Sequence, residues 1–342
     1  MTKRRLVRIG LTLAITGGCL TYILWQLDVR KTADIVAHSS LGWFFGALAI
    51  MIGGVPPMAY RWQKLLEARG IRERLAWLNR TYLTSYTAGQ VLPSAVGGDA
   101  YRIFETARRH PGRLGDMSGI VLLERALGGV ATLVLAAIGF ALAIGRYNVG
   151  AYLWIEAVFV VGTLVLAVLF FSRSARGLLR RLVPLLQRVR LERPLRALYE
   201  GVHVFRGHVR LMLWISVLTL AVQSVRVLAI WMAGRAVGVD LSPRPYYVMG
   251  PLLFLVLLVP FTVNGIAVRE AFFVSFLGQL GVDKEPALAT GFLFFVVTVG
   301  LALPGAVILA VENLRGASSR TVRPAQTNRV SEGSIRGDPR AR

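Results

Sequence analysis

Two arginines follow matching breaks in apolar sequence. The first closes Leu92-Pro93-Ser94-Ala95-Val96-Gly97-Gly98-Asp99-Ala100-Tyr101-Arg102, and the second closes Val259-Pro260-Phe261-Thr262-Val263-Asn264-Gly265-Ile266-Ala267-Val268-Arg269. Pro, Gly, Ala and Arg recur between them at a constant offset of 167 residues. A helix broken by Pro and Gly leaves free N–H groups at its new N-terminus, and these favour anions. Arg102 and Arg269 add full charge in a planar fork that suits phosphate. Each also has an acid at hand: Asp99 lies three residues before Arg102, on the same helical face, and Glu270 adjoins Arg269. The alternative for each arginine is that it reaches its own interface or neutralises that acid. The candidate anion site is therefore Arg102, Arg269, Asp99, Glu270, Asn264, Gly98 and Gly265.

A second group of charges lies within apolar runs. Glu124 and Arg125 sit in Leu122-Leu123-Glu124-Arg125-Ala126-Leu127, and Arg226 sits in Gln223-Ser224-Val225-Arg226-Val227-Leu228. Each costs roughly 3 kcal/mol facing lipid, so all three are expected to face the interior as a buried charge network. Adjacent helical residues point about 100° apart, so Glu124 and Arg125 do not form the natural pair. Glu124 is expected to meet Arg226, and Arg125 to meet Asp99 or a ligand. A structural ion pair joining the two halves is the plainer alternative.

The elements that must position these residues follow from composition. Of 342 residues, 55% are apolar and 17% charged, well below the roughly 25% charge of soluble domains. The apolar residues come in runs long enough for the roughly 20-residue helix that crosses a bilayer. Six spans are predicted: Val7–Leu27, Leu41–Tyr60, Met117–Gly145, Ala151–Phe171, Leu211–Val237 and Thr290–Val311. The apolar run past Cys19 reads as an uncleaved first span rather than a signal peptide. Two stretches, about 81–105 and 248–280, are too short or too broken to span, and read as re-entrant helical hairpins. With the N-terminus inside, segments 1–8, 61–80, 101–116, 172–210 and 312–342 carry 31 of the 40 Lys and Arg. That bias supports cytoplasmic N- and C-termini. Three spans between the hairpins make them enter from opposite faces, the pattern of an inverted repeat.

The predicted fold is thus an all-α membrane protein with about six transmembrane helices and two re-entrant hairpins, occupying residues 1–312. Loop 172–210 carries leucines at helical spacing with arginines between them, the pattern of helices lying on anionic headgroups or packing as a cytoplasmic hairpin. Residues 313–342, rich in Ser, Arg, Gly and Pro, read as a disordered cytoplasmic tail. One cysteine excludes a disulfide framework and any multi-cysteine metal site. The net charge of +22 is explained by the positive-inside bias, so no nucleic-acid partner is expected.

Several of these motifs together resemble the transmembrane domain of lysylphosphatidylglycerol synthases. They are Tyr60-Arg61-Trp62-Gln63-Lys64-Leu65-Leu66, the Leu92 to Arg102 hairpin, Glu124-Arg125-Ala126-Leu127-Gly128, and Pro260 with Gly265, Arg269, Glu270 and Ala271. The resemblance covers most of residues 1–312. The chain departs from it at Asn264, where the second hairpin more often has Gly. In full-length relatives this domain is regarded as the flippase for aminoacylated phospholipid, and a separate soluble domain makes that lipid. No such domain is expected here. The resemblance therefore implies an inner-membrane lipid transporter rather than an enzyme, with no cofactor. Its expected partners are an anionic or aminoacylated phospholipid, a hopanoid or a glycolipid, and a second copy or a lipid-modifying enzyme. No P-loop is present, so transport is downhill, ion-coupled or driven by a partner. The competing expectations are an accessory subunit or enzyme of lipid modification, and a membrane-anchored scaffold acting through loop 172–210. Against the enzyme stands the lack of a nucleophile–base pair or metal-ligand spacing.

Overall fold

A computed structural model describes residues 29–91, 97–143, 208–258 and 268–321, with isolated positions between 152 and 161. Every regular element among the described residues is helical. In chain order these are α1 (Val29–Ala37), α2 (Leu41–Gly53), α3 (Val55–Glu67), α4 (Leu75–Val91) and α5 (Gly97–Arg109). They are followed by α6 (Leu114–Ala143), α7 (Val209–Ala236), α8 (Arg244–Leu258), α9 (Val268–Gly278) and α10 (Lys284–Thr321).

Four runs are long and apolar enough to cross a membrane: Leu41–Glu67, Leu114–Leu142, Val209–Ala236 and Lys284–Glu312. They correspond to four of the six predicted spans. The other two, 7–27 and 151–171, lie outside the described residues apart from isolated helical positions near 152–161, as does nearly all of loop 172–210. The first run joins α2 to α3 through Gly54, whose φ of −73° and ψ of −14° stay helical. Pro sits in the first turn of α3, where its missing N–H costs no hydrogen bond. The run therefore continues to Glu67, past the boundary expected at Tyr60, and carries Arg61 with it.

The C-terminal boundary also needs correction. The tail was expected to lose order after residue 312, yet α10 continues to Thr321. Arg315, Ala317 and Arg320 are adequate helix formers, and Gly316 alone costs only about 1 kcal/mol. Residues 322–342 lie outside the described ones.

Contacts define two ends of the bundle. At one end Arg69, beyond α3, pairs with Asp116 at the start of α6. There too Arg80 near the start of α4 pairs with Glu312 on α10, and Glu73 holds Arg109 and His110 at the end of α5. At the other end the Ser40 N–H donates to the Ala236 carbonyl, joining the start of α2 to the end of α7. Lys31 pairs with Glu285 at the start of α10. The outer ends of α4 and α5 thus lie together at the first end. Those of α8 and α9 follow the end of α7 and precede the start of α10, at the second.

Small residues let these helices approach closely, as in membrane bundles generally. A Cβ on Gly98 of α5 would lie 2.6 Å from the Ser85 carbonyl oxygen of α4. Likewise Gly305 of α10 abuts the Leu83 carbonyl of α4, and Gly139 of α6 abuts the Tyr247 carbonyl of α8. Trp62, Leu65, Leu66, Leu78, Met117 and Phe273 fill the core. Leu213 and Val217 on α7, and Leu303 and Val307 on α10, stay exposed, an apolar exterior that suits lipid better than water.

Candidate functional site

Helix α5 begins at Gly97 with Asp99 in its first turn, and Arg102 follows one turn later. Arg102 is 4% exposed, so its charge must be answered inside the protein. One guanidinium nitrogen donates to Asp99 Oδ1 at 2.8 Å and another to Glu124 Oε2 at 2.9 Å. Its plane lies over the Tyr82 ring at 4.2 Å and the Trp62 ring at 5.0 Å, cation–π contacts that the fork geometry favours.

Glu124 is the hub. It is 3% exposed and accepts hydrogen bonds from Arg61 Nε at 3.1 Å, from Arg102, and from the Tyr82 hydroxyl at 3.2 and 3.3 Å. Arg61 is itself buried, and its Nη1 donates to Thr219 on α7 at 2.9 Å. Asp99 also pairs with Arg125. The chain Thr219–Arg61–Glu124–Arg102–Asp99–Arg125 thus ties α3, α5, α6 and α7 together.

The expected pairing of Glu124 with Arg226 is overturned: Arg61 and Arg102 hold Glu124. Thr219 sits level with Glu124, and Arg226 lies about 10 Å farther along α7 at 1.5 Å per residue. Arg226 Nη1 instead donates to Gln223 at 3.3 Å and Nη2 to the Tyr86 hydroxyl at 3.3 Å. Gln223 in turn donates to Thr132 at 3.1 Å.

These groups surround a cavity of about 380 Å³ between α3, α4, α5, α6 and α7. Its ionised lining is Arg61, Arg102, Arg125 and Arg226 against Asp99 and Glu124, four positive charges and two negative. Gly98 also lines it. A cavity of this size falls within the roughly 300–1,000 Å³ of small-ligand sites. Its net charge of +2 in a low-dielectric setting suits a phosphate or carboxylate and repels a free cation. Among the described residues no cluster of His, Cys, Asp and Glu could hold a metal ion.

The second motif lies elsewhere. Arg269 and Glu270 open α9, are 4% and 9% exposed, and pair with each other. Arg269 Nε donates to Glu270 Oε1 at 3.0 Å, and its guanidinium stands over the Phe295 ring at 4.7 Å. Neither is among the described residues lining the cavity. The described lining of this cavity therefore holds Arg102 but not Arg269, which packs between α9 and α10 beside residues 259–267 that lie outside the described ones. Asn264 and Gly265 lie outside the described residues.

The family described as the lysylphosphatidylglycerol synthase TM region matches residues 9–305. The chain belongs to this family. That places a multi-pass membrane protein in a family connected with membrane-lipid modification and transport. The match spans the whole five-helix cavity and the α9–α10 pair. No curated protein matches the chain.

Sequence reasoning missed Arg61, Tyr82 and Thr219 as partners of the hub. A span ending at Tyr60 leaves Arg61 in a cytoplasmic segment. The helix-compatible run Arg61-Trp62-Gln63-Lys64-Leu65-Leu66 was the available signal that α3 continues. Tyr82, Tyr86 and Gln223 carried no such signal, since only packing brings them together.

Proposed function

We propose that this protein moves a phospholipid or related lipid between the leaflets of the cytoplasmic membrane, acting as a flippase-like transporter. The carrying observation is the cavity: four arginines and two carboxylates enclosed by apolar, lipid-facing helices. Buried ionisable groups at membrane depth mark substrate paths more often than anchorage. A headgroup bearing phosphate finds compensating charge there while its acyl chains stay in the bilayer. The family membership supports the same reading.

In this reading α4–α5 and α8–α9 are re-entrant hairpins of an inverted repeat, opening from opposite ends. Rocking of one repeat against the other exposes the cavity to each leaflet in turn. Both termini are cytoplasmic, and the energy comes from a lipid gradient, an ion or a partner enzyme. Candidate cargoes are anionic or aminoacylated phospholipids, hopanoids and glycolipids.

A leaflet assay tests this. The purified protein is reconstituted into vesicles carrying a headgroup-labelled phospholipid, and a membrane-impermeant quencher reads the outer leaflet. Wild type is expected to exchange lipid faster than protein-free vesicles. Gly128 lines the cavity, and a Cβ placed there meets nothing within 4 Å. Gly128→Trp is therefore expected to fill the cavity and return exchange to the protein-free rate. No acceleration by wild type would overturn the transporter reading.

A further inference from the structure

We infer that the deep end of the cavity, at Arg226 with Gln223 and Tyr86, is the seat of the phosphate group, and that Arg102 is not. This deepens the transporter reading and rests on it.

The two ends of the cavity differ in how their charges are answered. Arg61 and Arg102 share Glu124, and Arg102 and Arg125 share Asp99. An incoming anion there must displace a buried carboxylate from its arginines or stand beside it, and both are unfavourable. Arg226 has no such obstacle. Among the described residues no carboxylate pairs with it, and its hydrogen bonds to Gln223 and Tyr86 are long and to neutral groups. A guanidinium has five N–H donors, so most of its capacity is left for a ligand.

Depth makes the missing countercharge matter. At 1.5 Å per residue, Arg226 lies about 15 Å from the Ala236 end of α7 and about 25 Å from the Val209 end. In a hydrocarbon core of about 30 Å it stands well inside the bilayer. It also borders a narrow crevice of about 10 Å³, whose lining beyond Arg226 and Tyr86 is apolar, with Ile50, Met51, Val225 and Leu301 among it. The polar cavity is the route by which an anion reaches it among the described residues. The planar fork then accepts two phosphate oxygens, with the Gln223 amide and the Tyr86 hydroxyl as flanking polar groups. The shared chemistry is a phosphate, whether carried by a lipid or free.

The test is direct binding to the full chain in mild detergent, with three probes: dioleoyl phosphatidylglycerol, inorganic phosphate and dioleoylglycerol, which lacks phosphate. Arg226→Gln is expected to weaken phosphatidylglycerol binding by about tenfold or more, the effect of losing a charge-assisted bond. Arg226→Lys keeps the charge and is expected to keep most of the affinity. Gln223→Glu is the second variant. It sets a carboxylate one turn from Arg226, where it satisfies the arginine and competes with the ligand. It is expected to weaken binding as Arg226→Gln does while raising thermal stability, which separates lost binding from lost folding. Unchanged phosphatidylglycerol affinity in both Arg226→Gln and Gln223→Glu would overturn the site and leave the transporter reading standing. Equal binding of dioleoylglycerol by wild type would overturn the phosphate assignment. Binding of inorganic phosphate through Arg226, without phosphatidylglycerol, would keep the site and sink the transporter reading. Wild type that binds neither phosphate probe would overturn both.

Discussion

The Arg102 and Arg269 motifs share a proline, a glycine, an alanine and an arginine at one spacing, yet they end in different surroundings. Arg102 joins a network that spans four helices and forms one wall of an open cavity. Arg269 is neutralised by its own neighbour, Glu270, and capped by Phe295. The difference lies in where the counterion comes from. Glu124 reaches Arg102 from another helix, so several elements must assemble around it and space remains between them. Glu270 comes with Arg269 on α9, and Phe295 of α10 packs over the guanidinium. The same motif thus ends in a buried arginine in both places, and among the described residues only Arg102 draws a counterion from another helix and lines the cavity.

The strongest way to break this comparison is to remove the hub. Glu124→Leu leaves Arg61 and Arg102 buried without their shared countercharge. A loss of about 3–5 kcal/mol is expected, as for breaking other buried pairs. Thermal and chemical unfolding in detergent reads it, and unchanged stability would show that the network does not hold the helices together.

A smaller effect separates α5 from α9. Gly98 meets the backbone of α4, whereas a Cβ on Gly278, at the end of α9, meets nothing within 4 Å. Gly98→Ala is expected to cost about 1–3 kcal/mol by overpacking and to slow lipid exchange. Gly278→Ala is expected to stay within about 0.5 kcal/mol. Equal effects in the same unfolding assay would remove the claimed asymmetry.

The smallest change falls on the second motif. Phe295→Leu removes the ring beneath Arg269 and is expected to cost about 0.5–2 kcal/mol. It should leave phosphatidylglycerol binding unaltered, because the pair lies apart from the cavity. A fall in that binding would join the two regions and restore the single shared site that the sequence suggests.

The helical class and the four described spans were legible because a bilayer demands long apolar runs, and runs are a local property, while the end of the first span at Glu67 was not. Contacts gather residues 69–80, 109–116 and 312, drawn from three of the basic segments, at one end of the bundle. Burial of Glu124 was readable too, because charge within apolar sequence must turn inward, whereas Arg226 is half-buried and Arg125, expected to be buried with them, is exposed. The Arg125–Asp99 pair was one of the partnerships weighed, and the structure makes it.

Partnership was otherwise decided in three dimensions. Which arginine meets Glu124 depends on the level each helix reaches when packed, and on glycines such as Gly98 and Gly305 that set how close the helices come. Neither quantity is local to the residues it controls. The sequence by itself determined that charge is buried in an apolar helical bundle. Only the tertiary structure decided that Glu124 serves Arg61 and Arg102, and that Arg226 lines the cavity hydrogen-bonded, among the described residues, to neutral Gln223 and Tyr86. The reason is that ion pairing acts over a few ångströms, and only packing brings residues far apart in the chain within that range.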